Sequence, residues 1–577
     1  MNQFAMKLIF VVLIGLFVTG TVWAQEEKTI PDAQTPTLVS KPKPVRPAWT
    51  PGRTINKASW DYSGPVSTIY TAANTPATPK LQDLPLKESV EQYGITWTFD
   101  KPFRVGQFIT GDFYVVGPVT VVRIDPKPLF GEELDKMSDR WPLINKSGVQ
   151  ESKYEGKRAR NGSVLNQGVT GKRATFGGFD SRLAHTMYDP EQFAHLPIAM
   201  KPGDSLFSNI SNDEPLSAYD GHGQPVLSSA VLTCMAEPVP ADAFRPSYCD
   251  KENKTYLARN LHRELLYALP RPETAPASLS EFARLFQRPW QDTVAWGYAN
   301  AELNSPRYGQ RITNSVSTVA LLLQLDYPAL DKEKLLVHYV QYGIDLWGIV
   351  RAGFPGWKGH GGFCGGRKWT LIFSGMMLGD DDMRSPNSKY PELLFGEDTQ
   401  TAAGKSWSGF DVVFTSHPAW CDAVKNSPEL EHPSKWAEIR EKDRYRRGDQ
   451  SEGYRRCCTS VEWPGEALAA RLMRAERYWN HEPFFKYVDR WMDGEDIHAT
   501  AKVVLDAAEE DAKKAGKPSS YSQSKWLLTQ PRSNPFFLDM WGKYRKNLPA
   551  PLGETKVPAS PKGVEGPPAR EATPAAK

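Results

Sequence analysis

A glycine-rich segment, Phe354–Lys368, combines a loosened backbone with side chains that can bind a ligand or transfer a proton. Because glycine has no side chain to obstruct a ligand, the backbone amides and His360 can approach a bound molecule closely. Trp357, Arg367 and Lys368 add an aromatic surface and two positive charges. The segment lacks the Gly-Lys-Ser/Thr ending of a phosphate loop. It predicts a ligand-binding turn, and a tight connection that needs positive φ angles is the alternative.

A second segment places four arginines around one tyrosine. They lie within Tyr445–Cys458 and flank Tyr454, with Arg455 as its immediate neighbour. Such a positive field would neutralise a bound carboxylate and make the tyrosine hydroxyl easier to deprotonate. The alternative is a solvated charge run in which the arginines pair with Asp449 and Glu452.

A third segment, Ser305–Asn314, again offers a tyrosine, an arginine and an amide, in Tyr308, Arg311 and Asn314. It precedes a predicted helix from Ser315 to Leu325. Asn314 is therefore predicted first as the cap of that helix and second as a ligand-binding amide.

Polar side chains also mark one face of a predicted helix. His338, Gln341 and Asp345 fall at positions i, i+3 and i+7 of the apolar stretch Leu335–Val350, so they share a face. This stripe predicts either the wall of a central cavity or a satisfied internal network, and the network is favoured for His338.

The elements that must position these residues change type along the chain. Residues 95–232 read as short strands separated by Gly and Pro turns, which favours a β-sandwich-like domain. From Tyr256 to Trp541 the apolar spacing is helical, and Trp369–Leu378 is apolar on nearly every side, so that helix should be buried. Buried inner helices with amphipathic outer ones favour an (α/α) toroid, with a plain helix bundle as the alternative.

The first residues have the pattern of a secretory signal peptide. Lys7 precedes the apolar run Leu8–Val18, and Ala24 provides the small residue expected at the cleavage point. We therefore expect cleavage after Ala24, a secreted or periplasmic protein, and no membrane-spanning segment afterwards. The predicted organisation is a signal peptide (1–24), a disordered Pro-rich linker (25–84), a β-sandwich-like domain (85–250), an (α/α) toroid (251–548) and a disordered tail (549–577).

Charge and cysteine content restrict the partners. The chain has 70 Lys plus Arg against 67 Asp plus Glu, a formal charge of +3, so its composition gives no support to a nucleic-acid partner. In an oxidising compartment its cysteines predict disulfides, first Cys234 with Cys249, then Cys421 with Cys457 or Cys458. A metal site is the weaker interpretation because no CxxC or HxxxH spacing is present, and no cofactor is predicted.

Together these segments resemble a known family. The stretch Gln341–Leu346, the glycine-rich run from His360 to Lys368, and Tyr454–Cys458 before the helix Glu466–Ala470 look like secreted (α/α)-toroid polysaccharide lyases. The nearest kinds are the alginate and glucuronan lyases and the heparinase-like enzymes. In several of these lyases the helical domain comes first, whereas here the β region leads.

The resemblance implies cleavage of an acidic, uronate-containing polysaccharide by β-elimination. It implies Tyr454 as acid or base and His360 as base or neutral donor. The residues expected to neutralise the uronate carboxylate are Arg367, Arg455 and Arg311. The residues expected to bind substrate are Tyr308, Asn314, Trp357, Lys368 and His417.

Two other functions remain open at this point. A glycoside hydrolase would need two separated carboxyl groups, for which the sequence offers Asp380, Asp381, Asp382, Glu397 and Asp411. A polysaccharide-binding or cell-surface protein without catalysis is the other. The enzymatic hypothesis depends on the His360 segment and Tyr454 meeting across one cleft. The oligomeric state is not determined by these patterns.

Overall fold

A computed structural model describes most of the folded chain. The described residues are 66–141, 151–168, 177–182, 188–212, 225–249, 254–292, 309–359, 361–415, 427–438, 452–453, 455–516 and 527–552. The expected signal peptide and four predicted site residues lie outside them, namely Tyr308, His360, His417 and Tyr454.

The strand-rich region forms one curled mixed sheet of eight strands. Its order is β7-β9-β10-β3-β2-β4-β8, and β1 also pairs with β2. The strands are β1 Leu86–Gln92, β2 Ile95–Gln107, β3 Phe113–Val116, β4 Val119–Asp125, β7 Ser163–Leu165, β8 Ile198–Met200, β9 Ser205–Ser211 and β10 Val226–Met235. Two small pairs add β5 Leu129–Phe130 with β6 Ala159–Arg160, and β11 Thr401–Ala403 with β12 Val412–Phe414.

Strand β2 explains how the sheet curls. Its first half alternates as predicted, with Ile95, Trp97 and Phe99 buried, and it pairs there with β1 and β4. Its last residues, from Val105 to Gln107, pair with β3 instead. One long central strand therefore pairs with β1 and β4 over part of its length and with β3 at its end, and β10 continues the sheet by pairing in parallel with β3.

Helices make up most of the remaining chain. They are α1 Glu132–Asp135, α2 Ser280–Gln287, α3 Gly309–Leu322, α4 Ala329–Arg351, α5 Arg367–Leu378, α6 Asp381–Arg384, α7 Pro386–Lys389, α8 Gly396–Gln400, α9 Trp463–Leu472, α10 Glu476–Trp479, α11 Glu482–Asp489, α12 Ile497–Lys514 and α13 Pro535–Tyr544.

The all-round apolar pattern correctly predicted a buried helix. Every residue of α5 from Arg367 to Met377 is buried. Gly343 of α4 packs directly against Ser374 of α5, where a Cβ atom would overlap the serine side chain. The two helices can therefore approach closely.

One predicted helix boundary is wrong. Helix α3 begins at Gly309 and not at Ser315, so Asn314 lies inside the helix and is not its cap. The earlier start frees the Asn314 side chain for a tertiary contact, since the helix no longer needs it as a terminal acceptor.

The sheet and the helices share one apolar core. The largest cluster of buried residues contains Ile109, Phe207 and Val231 from the sheet region together with the buried faces of α3, α4, α5 and α9. A second cluster, around Trp97 and Val115, lies within the sheet. All of the described residues belong to one compact unit, Arg53–Lys577. The boundary between residues 250 and 251 stays a prediction.

The predicted disulfide between Cys234 and Cys249 is wrong. Neither of these buried cysteines forms a disulfide, and they belong to different core clusters. Cys234 is fixed in β10, whereas the Cys249 Sγ donates to the Gln167 carbonyl at 2.9 Å. Cys457 is bonded to its neighbour Cys458. Cys421 lies outside the described residues.

None of the helices within the described ranges combines the length and the apolar character that crossing a membrane requires.

Candidate functional site

Amide side chains at the start of α3 bind the chain that precedes α9. The Gln310 Nε2 donates to the Cys457 carbonyl at 2.6 Å and to Glu462 Oε1 at 3.0 Å. The Asn314 Nδ2 donates to the other carboxylate oxygen of Glu462 at 2.6 Å. Ser317, one turn further along, donates to the Glu462 carbonyl at 2.6 Å. The third predicted segment therefore lies directly against the second.

The glycine-rich turn reaches the same place. Gly362 packs on Cys458 so closely that a Cβ atom there would lie 2.7 Å from the Cys458 Cβ. At the end of the turn, Gly365 and Gly366 pack against Thr313 of α3. We call the contact of Gly309–Asn314, Gly361–Gly366 and Arg455–Glu462 the three-segment junction. The structure thus brings together the described parts of the three segments that sequence reasoning selected.

Arg367 lies beneath this junction and is fully buried. Its guanidinium forms a two-point ion pair with Asp292, with Nε and Nη2 at 2.9 and 2.8 Å from the two carboxylate oxygens. Its Nη1 donates to the carbonyls of Phe363 and Gly365. Arg367 therefore holds two carbonyls of the glycine-rich turn and anchors that turn to Asp292.

Trp357 and Lys368 are also internal. Trp357 is fully buried and donates from Nε1 to the Asp292 carbonyl at 2.8 Å. Lys368 is buried, pairs with Asp398, and lies over the rings of Phe395 and Trp479. Burial lowers the pKa of Lys368, against the opposing effect of Asp398.

Arg455 belongs to a buried cluster of alternating charges. It pairs with Glu495, Glu429 and Glu452, and Arg490 binds Glu429 and Glu495 from the other side. Burial disfavours the charged form of Arg455 and by itself would lower its pKa. The neighbouring acids outweigh this effect and raise the pKa well above the usual value. Burial likewise opposes ionisation of Glu495, yet the arginines hold its pKa at about 2. The cluster ties the junction to the turn Arg490–Gly494.

Arg311 and Asn314 are the predicted residues that the structure leaves accessible. Arg311 is exposed, and Asn314 is partly buried beside Glu462. Burial raises the pKa of Glu462, while Asn314, Gln310 and Arg311 counteract this rise. Two amides and one cation therefore converge on a carboxyl group that ionises less readily than usual.

A pair of buried carboxyl groups lies behind the junction. The sequence patterns did not predict this pairing. Glu397 of α8 and Glu466 of α9 are both fully buried, and they lie close enough for each carboxyl group to affect the ionisation of the other. Burial raises the pKa of Glu397 to about 7, although its acceptance of the Gly366 amide lowers it. Burial and the neighbouring Glu397 raise the pKa of Glu466 well above its usual value. The pair therefore holds at least one proton at neutral pH.

The sequence carried a signal for Glu466 that was not used. It is a single acid in the helix that begins Trp463-Pro464-Gly465, where every residue of α9 is buried. An acid among buried apolar neighbours is rare unless it is paired.

The other carboxyl groups considered for hydrolysis lie apart from this pair and serve structural or surface roles. Asp380 caps α6 and accepts from Tyr256 and Lys254. Asp381, Asp382 and Asp411 form surface ion pairs with Arg384, Lys389 and Lys405.

Gln341 and Asp345 of the polar stripe on α4 belong to an internal network. Gln341 exchanges two hydrogen bonds with the backbone of Arg245, whose guanidinium binds Asp345 at 2.6 Å and Asp112 at 2.8 Å. Burial raises the pKa of Asp345 to about 6, against the effect of Arg245. Burial lowers the pKa of His338 to about 4, so this imidazole is neutral at physiological pH.

An open groove of about 450 Å³ lies between α10 and α11, and none of its lining residues belongs to the junction. Its wall includes Arg471, which pairs with Glu476 and Asp489, and Lys486, which pairs with Glu482. The charges of this groove are therefore largely satisfied by one another. Within the described ranges, no group of three or more His, Cys, Asp or Glu side chains is arranged to hold a metal ion.

Comparison with known proteins identified no match among family models, curated proteins or solved structures.

Proposed function

We propose that this chain is a secreted or periplasmic polysaccharide lyase that cleaves an acidic, uronate-containing polysaccharide by β-elimination at the three-segment junction. The observation that carries the proposal is the direct contact of the glycine-rich turn, the start of α3 and the Arg455–Glu462 segment. Within this proposal the curled sheet is the β-sandwich-like domain and the helices form the (α/α) toroid.

The chemistry requires a group that neutralises the uronate carboxylate and a base that removes the C5 proton. The exposed Arg311 provides donors of the required kind, and the Asn314 amide lies one turn away, whereas both N–H groups of Gln310 already donate to Cys457 and Glu462. Tyr454 is the proposed acid or base, and His360 the proposed base or neutral donor.

In this scheme the buried arginines position other segments and do not contact the substrate. Arg367 and Arg455 already have carboxylate partners and no exposed surface. They hold the glycine-rich turn and the segment after Tyr454 in place, and the role of contacting the uronate carboxylate passes to Arg311. This is a change from the roles that the family resemblance implied.

The hydrolase alternative finds no suitable pair of acids near the junction. Glu397 and Glu466 interact with each other inside the protein, whereas the two acids of a glycosidase flank a sugar bond in an accessible cleft. Both are also fully buried.

The test is a screen of alginate, glucuronan, heparinoids and pectin for the ultraviolet absorbance of newly formed double bonds. We expect one of these polymers to be cleaved, and the Tyr454→Phe variant to lose at least about a hundredfold in rate, as expected for loss of a general acid or base. Tyr390→Phe, in the connection between α7 and α8, is the matched control and should retain full activity.

Two outcomes would count against the proposal. New reducing ends without absorbance would indicate hydrolysis, and saturable binding of a polymer without turnover would indicate a binding protein. Full activity in Tyr454→Phe would remove that residue from the mechanism.

A further inference from the structure

Glu462, directly before α9, is a carboxyl group held in a fixed place at the three-segment junction. Its Oε1 atom accepts a hydrogen bond from Gln310 at 3.0 Å, and its Oε2 atom accepts one from Asn314 at 2.6 Å. Its own backbone carbonyl accepts from Ser317 at 2.6 Å, which holds the residue at a further point. Contacts with one face of α3 therefore determine where this carboxyl group lies.

The hydrogen-bond donors of the Glu462 carboxyl group are neutral, which distinguishes it from other acids beside the junction. Glu429, Glu452 and Glu495 are buried and pair with Arg455. An acid in such an ion pair takes up a proton with difficulty, because the guanidinium strongly favours the ionised form. A neutral amide favours that form less, so Glu462 can exchange a proton more readily than these three acids.

Glu462 is also partly exposed, whereas Glu397 and Glu466 behind the junction are fully buried. Burial raises the pKa of Glu462 above the ordinary glutamate value, and the two amides and the charge of Arg311 limit this rise. A carboxylate that accepts one hydrogen bond on each oxygen still has lone pairs that can take a proton. Glu462 therefore combines a fixed position with access and the proton affinity that a general base needs.

We infer that Glu462 is the base that removes the C5 proton of the uronate in the proposed β-elimination. The inference rests on the proposed function and assigns the two proton transfers to two different groups. The C5–H bond breaks, its proton goes to the Glu462 carboxylate, and its electron pair forms the C4–C5 double bond. The bond between C4 and the glycosidic oxygen breaks with its electrons on the oxygen, and Tyr454 as the acid gives that oxygen a proton. Arg311 neutralises the uronate carboxylate.

The first test compares Glu462→Gln with the parent protein on the polymer of the screen that the parent cleaves. We expect kcat/KM for double-bond formation to fall at least about a hundredfold, because glutamine keeps the shape of the side chain but cannot accept the proton. Glu392→Gln, which removes an acid at an exposed position, is the matched control and should keep the parent rate. Parent-like activity in Glu462→Gln would overturn the inference.

The pH dependence separates a chemical role from a structural one. A base must be ionised to act, so kcat/KM of the parent should rise with pH through the pKa of Glu462. Gln310→Met removes a donor that favours the ionised form and so raises this pKa, which should move the rise to higher pH. A side chain that only joins α3 to α9 would change the rate equally at every pH. An unmoved profile would therefore overturn the inference, even where Glu462→Gln does not fold.

Failure of the inference and failure of the proposed function give different results. A parent protein that forms no double bonds with any polymer of the screen contradicts the proposed function, and the role of Glu462 falls with it. A parent that cleaves a polymer while Glu462→Gln retains its rate contradicts only the role of Glu462.

Discussion

The environment of each charged residue decides which chemistry it can perform. Arg367, Arg455 and Arg311 are the same residue type in comparable loops or helix ends of the sequence. Two of them are fully buried against carboxylates, whereas Arg311 is exposed. A buried, paired guanidinium resists exchange of its partner because the abandoned carboxylate would remain without compensation. Of these three arginines, Arg311 alone has an exposed side chain, as the proposed contact with a substrate carboxylate requires.

At the same scale, the Glu397–Glu466 pair predicts a pH dependence of stability. Both carboxyl groups have raised pKa values in the folded protein, so the folded state binds protons that the unfolded state has already released. Stability is therefore fully present below the unfolded pKa and is lost as the pH rises through the folded values. Replacing Glu466 by glutamine supplies a hydrogen-bond donor that does not titrate.

We expect Glu466→Gln to be more stable than the parent protein by on the order of 1 kcal/mol at about pH 8, and to lose this advantage near pH 5. Urea unfolding at the two pH values measures the difference. Glu392→Gln, at an exposed position, is the control and should show no such dependence. A gain that is equal at both pH values would show that the proton of the pair is not involved.

At the level of elements, the junction depends on backbones that come close together. Gly362 lies against Cys458 and Gly465 of α9 lies against Ser317 of α3, and each leaves no room for a Cβ atom. Glycine at these points is required by tertiary contact, not by an unusual φ angle. The glycine-rich composition predicted that another group approaches the backbone closely. At Gly362 the structure identifies that group as Cys458 of the same chain.

Gly362→Ala should therefore disturb the junction. The added methyl group would overlap Cys458, and we expect a loss of about 1–3 kcal/mol in the free energy of unfolding, as for overpacked interiors. Denaturant unfolding measures the loss. Gly542→Ala in α13, where a Cβ atom would meet nothing within 4 Å, is the matched control and should be neutral or stabilising. Equal stability of the two variants would mean that the glycine-rich turn accommodates the methyl group without a loss in the free energy of unfolding.

In the whole molecule, the sheet and the helices depend on each other for burial. The main core joins Phe207 and Val231 of the sheet to the buried helices. Arg245 reinforces the contact by binding Asp112 beside the sheet and Asp345 of α4. Neither region buries its apolar surface completely without the other.

We expect the helical region expressed alone, from residue 251 to 552, to lack a cooperative thermal transition. Its core would be exposed where Ile109, Phe207 and Val231 normally cover it, and lost burial of apolar area removes the main driving force for folding. Calorimetry compares it with the chain from residue 66 to 552, which should unfold cooperatively. A sharp transition in the helical fragment would show that residues 251–548 form an independent domain after all.

Local pattern was sufficient for much of the secondary structure. Alternation in Ile95–Phe99 predicted a strand, and the unbroken apolar run at Trp369–Leu378 predicted a buried helix, because period and burial are both local properties of the sequence. The start of α3 was missed because glycine and polar residues at its first turn are stabilised by contacts with Glu462 rather than by propensity.

The sequence by itself determined most element types and the shared helix face of His338, Gln341 and Asp345, and it predicted which segments carry chemistry. Tertiary structure alone decided which charges are neutralised and which carboxyl groups affect one another's ionisation. The physical reason is that ion pairing and burial depend on residues far apart in the chain. Arg367 and Asp292 are 75 positions apart, and Arg245 and Asp112 are 133 apart, so no local pattern could have paired them.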